Sequence, residues 1–241
     1  MKIEVIYEDD DLVIVNKPPG VLVIPDRFDT KLPSLNKILE AKYGCHVYVV
    51  HRLDRGTSGA ICFAKNEVAH KYMSHLFQEH KVEKYYTGLV GGRVIPESGT
   101  IEAAIIEHPT KKGKMAIAKK GKASRTDYQV LEQWPLYSLV QFRIYTGRTH
   151  QIRVHMQSIG HPLTCDELYG DGKPFLLSGI KRKYNASKNE EEEKPILNRL
   201  ALHASKLVFT NAAGKEIVAE APLPKDIAAC VSQLNKWAKP V

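Results

Sequence analysis

The sequence predicts an α+β fold: a mixed, mainly antiparallel central β-sheet flanked by helices and loops, in a single domain over residues 1–241. Three observations predict it. Short runs rich in Val, Ile, Leu and Tyr recur along most of the chain, bounded by Gly, Pro, Asn or Asp. Few stretches carry apolar residues at the helical period. No internal repeat divides the 241 residues, of which 43% are apolar, enough for a proper core.

Met1 to Ile6 and Leu12 to Asn16 read as strands joined by the acidic turn Glu8-Asp9-Asp10-Asp11. Lys17-Pro18-Pro19-Gly20 interrupts the pattern and Val21 to Ile24 resumes it. Ser34 is the candidate N-cap of a short helix with Leu35, Ile38 and Leu39 on one face. Val47 to Val50 and Ala60 to Ala64 are apolar strands on either side of a polar loop. Asn66 should cap a helix whose Ala69, Tyr72, Met73, Leu76 and Phe77 share a stripe. His70, His75 and His80 are spaced five apart, which turns successive side chains about 140° round a helix, so no metal site is expected there. Lys84 to Val90 is a strand whose neighbours Tyr85 and Tyr86 must face opposite ways. Residues 99–106, 114–118 and 123–131 follow as strands between lysine-rich loops, then a long strand over Tyr137 to Tyr145. Thr149 is the expected cap of a helix in which Ile152, His155, Met156 and Ile159 align. Residues 187–195 are polar and acidic and predict a surface loop. Leu200 to Leu202, Leu207 to Phe209 and Glu216 to Ala219 are short strands, the last two a hairpin closed by Asn211-Ala212-Ala213-Gly214. A final helix turns Ile227, Val231, Leu234 and Ala238 inward.

Lysine and arginine outnumber acids 35 to 27, and a surplus of that sign favours a polyanionic partner, most simply nucleic acid. Cys45, Cys62, Cys165 and Cys230 form no Cys-x-x-Cys pair and suggest neither a zinc site nor a disulfide framework. With no apolar leader and no apolar stretch of membrane length, the reading is a cytoplasmic protein.

One stretch organises the rest: His51-Arg52-Leu53-Asp54-Arg55-Gly56-Thr57-Ser58-Gly59. Guanidinium groups on both sides of Asp54 favour its ionised carboxylate, and an ionised Asp in a Gly/Ser/Thr loop at a strand end can act as base or nucleophile. On composition alone an Arg–Asp pair that ties a turn fits the same residues.

A second stretch, Arg148-x-His150-Gln151-Ile152-Arg153-x-His155, decides between them together with Gly160-x-Pro162 and Asp166-x-x-Tyr169-Gly170. With the His51 to Gly59 loop, Lys84-x-Tyr86, Asn16-Lys17-Pro18-x-Gly20 and Leu202-His203-Ala204, the chain resembles the RluA-type pseudouridine synthases over essentially its whole length. The leading His51 is what resembles the RluA type in particular. Cys165 departs from the pattern, standing where the family usually has Gly, and a side chain there tolerates positive φ poorly. No N-terminal S4 RNA-binding module precedes the first strand, so RNA affinity is expected from the catalytic domain itself.

The resemblance implies the pseudouridine synthase fold and isomerisation of uridine in structured RNA, without cofactor or metal. The N1–C1′ bond breaks, the base rotates, and C5 joins C1′. Asp54 is the implied essential carboxylate, attacking C1′ or C6 or removing the 2′ proton. Arg153 is its implied basic partner, and Tyr86 stacks on the base and assists loss of the C5 proton. Arg52 is the candidate to fill the place of the flipped base. His51, Thr57, Arg148 and His150 are expected to contact substrate. The expected RNA is 23S ribosomal RNA, with tRNA the alternative, bound by a monomer without an obligate protein partner. Two rivals are an inactive RNA-binding protein on this scaffold and a metal-dependent nuclease using Asp54, Asp166 and Asp171. The arginines beside those acids argue against a Mg²⁺ site.

Overall fold

The alternating runs at the start of the chain fold back as a hairpin. In a computed structural model that describes residues 3–26, 29, 31–182, 184, 193–238 and 240, β1 (Glu4–Glu8) pairs antiparallel with β2 (Leu12–Lys17). Asp9 closes the turn, its carboxylate accepting from the amides of Asp11 and Leu12 at 2.9 and 2.7 Å. Then follow α1 (Leu35–Tyr43), β3 (Tyr48–Val49), β4 (Ser58–Ala64), α2 (Glu67–Gln78), β5 (Glu83–Gly91) and β6 (Ser98–Glu102). Next come β7 (Ile105–Glu107), β8 (Met115–Ile117), β9 (Arg125–Gln133), β10 (Tyr137–Ile144) and α3 (Gln151–Ser158). The chain closes with β11 (Leu202–Thr210), β12 (Glu216–Glu220) and α4 (Lys225–Trp237).

The elements belong to two compact units, one of Met1–Tyr86 with His203–Pro222, the other of Thr87–Leu202 with Leu223–Val241. In the first, β2 and β3 lie antiparallel on β4, β11 runs parallel to β4, and β12 pairs antiparallel with β11. Ile14, Cys62 and Phe209 pack there against Met73 and Leu76 of α2, all buried. Asn66 caps α2 as its sequence predicts, accepting from the Ala69 amide at 2.8 Å. In the second unit β9 lies antiparallel to both β10 and β6, and β7 pairs with β8 in a separate two-stranded sheet. Trp134, Leu139 and Phe175 pack there against Ile227, Cys230 and Leu234 of α4. The predicted α+β class and mixed, mainly antiparallel pairing hold.

Several local expectations do not. Val21 to Ile24 forms no strand; only Leu22 bridges, to Ser34. Ser34 precedes α1 but makes no side-chain cap, because its hydroxyl donates to the Asn36 side chain at 2.8 Å. The expected strand over 99–106 is split between β6 and β7. Leu207 to Phe209 does not stand apart from Leu202, since β11 runs unbroken from Leu202 to Thr210. The cap of α3 is His150, not Thr149, in a left-handed conformation at φ 54°. Ile159 lies past the end of α3, 38% exposed. The acidic loop expected over 187–195 lies through residue 192 outside the described residues. No helix among the described residues is long and apolar enough to cross a membrane.

Candidate active site

The Asp54 loop is fastened from below by backbone carbonyls and a buried amine. The Thr57 amide donates to the Asp54 carbonyl at 3.1 Å, closing a turn over Arg55 and Gly56. The Arg55 carbonyl accepts from the Gly20 amide at 2.8 Å, and the Arg55 Nε donates back to the Gly20 carbonyl at 3.1 Å. Lys17, fully buried, donates its Nζ to the carbonyls of Pro18, Val21 and Arg55 at 3.0, 2.8 and 3.1 Å. An ammonium taken from water needs such partners, and these bind the Lys17-Pro18-Pro19-Gly20 stretch to the turn after Asp54.

The exit of the loop is fixed as firmly. Gly59 has φ +113°, and a Cβ there would lie 2.1 Å from the Ala204 carbonyl oxygen, so only glycine fits. Beside it His203 Nε2–H donates to the Ala221 carbonyl at 3.2 Å. That choice of tautomer leaves Nδ1 to accept from the Ser58 hydroxyl at 3.0 Å. The motif residues Ser58, Gly59, His203 and Ala204 are therefore one joint between β4 and β11.

At the entrance His51 accepts the Cys62 amide proton on Nε2 at 2.9 Å and stacks on Phe77, 4.4 Å between ring centres. Burial first, and the Lys84 charge second, push its pKa down to about 3. The imidazole is neutral, with its proton on Nδ1. Lys84 and Tyr86, two apart on β5, share one face of the strand. Tyr86 is 8% exposed; burial and then the Asp54 charge hold its phenol well above the ordinary range. Lys84 is 6% exposed and burial lowers its pKa to about 8. Its Nζ lies 5.9 Å from the Phe77 ring centre, and among the described residues no hydrogen bond or ion pair reaches it.

The second motif builds its own framework in the second unit. Gln151, buried, donates from Nε2 to the Arg125 carbonyl and the Thr126 hydroxyl. Its Oε1 accepts from the Thr146 hydroxyl and the Arg148 amide. These bonds tie the first residue of α3 to β9 and to the turn before the helix. Arg153 is buried and grips Asp166 with two parallel bonds, Nε to Oδ2 at 2.7 Å and Nη2 to Oδ1 at 2.8 Å. Asp166 also accepts from the amides of Leu168 and Tyr169. Tyr169 lies under the Arg153 guanidinium at 5.0 Å. Its hydroxyl accepts from the Met115 amide at 2.7 Å and pairs with His150 Nδ1 at 2.9 Å. Cys165, before Asp166, has φ +60°, the left-handed backbone its departure from glycine brought into question.

The structure thus places Asp54, Arg52, His51, Thr57 and Tyr86 in the first unit, and Arg148, His150 and Arg153 in the second. Arg52 is exposed, and among the described residues its guanidinium makes no ion pair or hydrogen bond. Thr57 is buried at 2% exposure. Arg148 donates through Nε to the Ala123 carbonyl at 3.2 Å. Sequence reasoning reaches Lys17 and Lys84 as motif letters without giving either a task. The available signals were a lysine at the end of an apolar strand and a lysine at period two from Tyr86.

The Asp54 loop is locked by backbone bonds and Tyr86 of β5 is buried; comparison with known proteins gives the family. Residues 11–158 match the RNA pseudouridylate synthase family model. The chain belongs to that family, and the resemblance drawn from its motifs stands. It is 34% identical over 240 residues to the ribosomal large subunit pseudouridine synthase D of Nitrosomonas europaea, covering 97% of this chain and 65% of that protein. To the enzyme of the same name from Neisseria meningitidis serogroup B it is 36% identical, covering 98% of this chain and 62% of that protein. The chain thus spans less than two thirds of those two relatives. An uncharacterized RNA pseudouridine synthase of Bacillus subtilis, YhcT, is 35% identical over 94% of this chain and 70% of its own length. The human RNA Pseudouridylate Synthase Domain Containing 1 structure matches with a TM-score of 0.73 and 29% identity, covering 100% of this chain and 89% of that one.

Proposed function

We propose that this protein is an RNA uridine isomerase whose substrate is 23S ribosomal RNA, with Asp54 as the essential carboxylate. The observation that carries the reading is the Asp54 turn: backbone bonds from Thr57, Gly20 and Lys17 fix it while its carboxylate charge reaches the buried Tyr86 phenol. The names of the two bacterial relatives support the ribosomal target. A base in folded RNA must leave its stack before C1′ can be reached, at a cost of a few kcal/mol. Arg52, exposed and untied by its neighbours, is the side chain to fill the gap.

The glycosidic bond is then broken with Asp54 attacking C1′ or C6 or taking the 2′ proton, and C5 is joined to C1′ after the base turns. Tyr86 offers a ring face for the uracil and a hydroxyl held in its neutral form. A neutral phenol cannot store the C5 proton as a phenolate would, so it relays the proton in concert with an acceptor. Arg153 is the basic residue that the second motif contributes. His51 and Thr57, spent on the loop itself, serve as its supports. Arg148 and His150 are proposed as contacts to the RNA backbone.

The test is tritium release from RNA labelled at uridine C5, with ribosomal RNA and tRNA each taken from cells lacking the protein. Release from ribosomal RNA is expected with the wild type. Asp54→Asn should slow it by roughly a thousandfold or more while RNA affinity is kept. Release from tRNA alone would move the target, and full release by Asp54→Asn would overturn the mechanism.

A further inference from the structure

A groove of about 740 Å³, lined by none of the motif residues used above, lies in the second unit between the β9–β10 turn, residues 178–182 and the end of α4. Its floor is apolar, formed by Leu136, Tyr137, Ile180 and Leu234, with Leu136 60% exposed. Trp237 stands at its edge, 37% exposed, its indole N–H donating to Gln233 at 3.0 Å. Lys181 Nζ lies 4.5 Å and Lys236 Nζ 5.0 Å from the centre of the Trp237 ring, and Arg182 is exposed beside them. Among the described residues Glu193 is an acid at its margin, its carboxylate accepting from the Ser178 amide at 2.9 Å, while Lys181, Arg182 and Lys236 carry the opposite charge.

We infer that this groove is a second RNA contact, which takes an unpaired nucleotide outside the target uridine, stacks its base on Trp237 and meets its phosphates with Lys181, Arg182 and Lys236. An accessible indole with cations around it is the combination that holds single strands: the ring serves any base, and the charges follow the backbone. The lysines over the ring do not bar the way. A lysine on an exposed aromatic face is held more weakly than a stacked base, so the base displaces it and the freed ammonium turns to a phosphate. The overall surplus of 35 basic over 27 acidic residues fits the same occupant. The inference rests on the reading of the protein as RNA-acting but not on its chemistry.

Tryptophan emission tests it directly. The chain has two tryptophans, and Trp134 is fully buried, donating to Asn235 at 2.9 Å, so quenching by added RNA reports Trp237. A short single-stranded oligoribonucleotide should quench emission to saturation, and the same strand annealed to its complement should quench far less. Trp237→Phe should remove most of the quenching. Trp237→Ala should weaken binding of the end-labelled strand by about tenfold, leaving tritium release at saturating RNA unchanged and the melting curve intact. Lys181→Ala with Arg182→Ala should flatten the salt dependence of binding by about 0.7 in slope for each phosphate left without its cation. The control Lys71→Ala, an exposed lysine on α2, should leave the slope as it is. Binding of the strand without quenching, no binding at all, equal quenching by the duplex, or unweakened binding by Trp237→Ala would each overturn the site. Absence of tritium release with the quenching intact would instead overturn the isomerase reading alone.

Discussion

Two lysines of the first unit are buried almost equally and treated in opposite ways. Lys17, fully buried, has three carbonyls at 2.8 to 3.1 Å around its ammonium. Lys84, 6% exposed on β5, has among the described residues only the face of Phe77 at 5.9 Å, and burial brings its pKa to about 8. A buried charge that is fully bonded is part of the frame. One that among the described residues makes no hydrogen bond or ion pair costs the fold free energy. Arg153, with its two bonds to Asp166, belongs with Lys17 in this respect.

Substitutions sharpen that contrast. The largest effect is expected from Arg153→Met, which leaves the Asp166 carboxylate buried with only the Leu168 and Tyr169 amides. It should cost about 3–5 kcal/mol in denaturant unfolding. Lys17→Met takes a donor from three carbonyls, of which that of Arg55 keeps the Gly20 amide, and should cost about 2–4 kcal/mol, with a fall in turnover because the turn after Asp54 loses its buried tie. A stable and fully active Lys17→Met protein would break the comparison.

Lys84→Met goes the other way and should stabilise the protein by about 1–3 kcal/mol at neutral pH, with activity reduced. The sign follows from the lowered pKa: below about 8 the folded chain holds a proton at a cost the unfolded chain does not meet. As pH rises from about 8 towards the ordinary lysine value the wild type sheds that cost, so the advantage of Lys84→Met should shrink across that window. Thermal melts at several pH values decide it.

The smallest effect is expected at Cys165, whose left-handed backbone at φ +60° sits beside the carboxylate that holds Arg153. Cys165→Gly relieves about 1 kcal/mol of strain and gives back a similar amount in lost packing and chain entropy. Cys165→Ala keeps the strain and loses the sulfur, so alanine should destabilise more than glycine, the reverse of the usual order. Chemical denaturation of the two variants ranks them.

What the sequence showed and what it hid divide along the range of the interactions. The α2 cap was legible because Asn66 and Ala69 are three residues apart and the apolar stripe of the helix is local. The family was legible through the motifs that hold Asp54 and Tyr86, and the left-handed backbone at Cys165 through its departure from the pattern. The anchoring of α3 was not, because Gln151 takes its partners from Arg125 and Thr126, some twenty-five residues earlier. Val21 to Ile24 carries a strand's composition but finds only the Leu22–Ser34 bridge to pair with. Lys17 read as the start of a chain break, since its bond to Arg55 spans 38 positions.

The unbonded ammonium on β5 has a chemical consequence as well. With a pKa of about 8, about a tenth of Lys84 is a neutral amine at pH 7, where an ordinary lysine has well under a hundredth in that form. A neutral amine is a nucleophile. At 6% exposure that amine is shielded from bulk water, so its chemistry is confined to the strand face it shares with Tyr86.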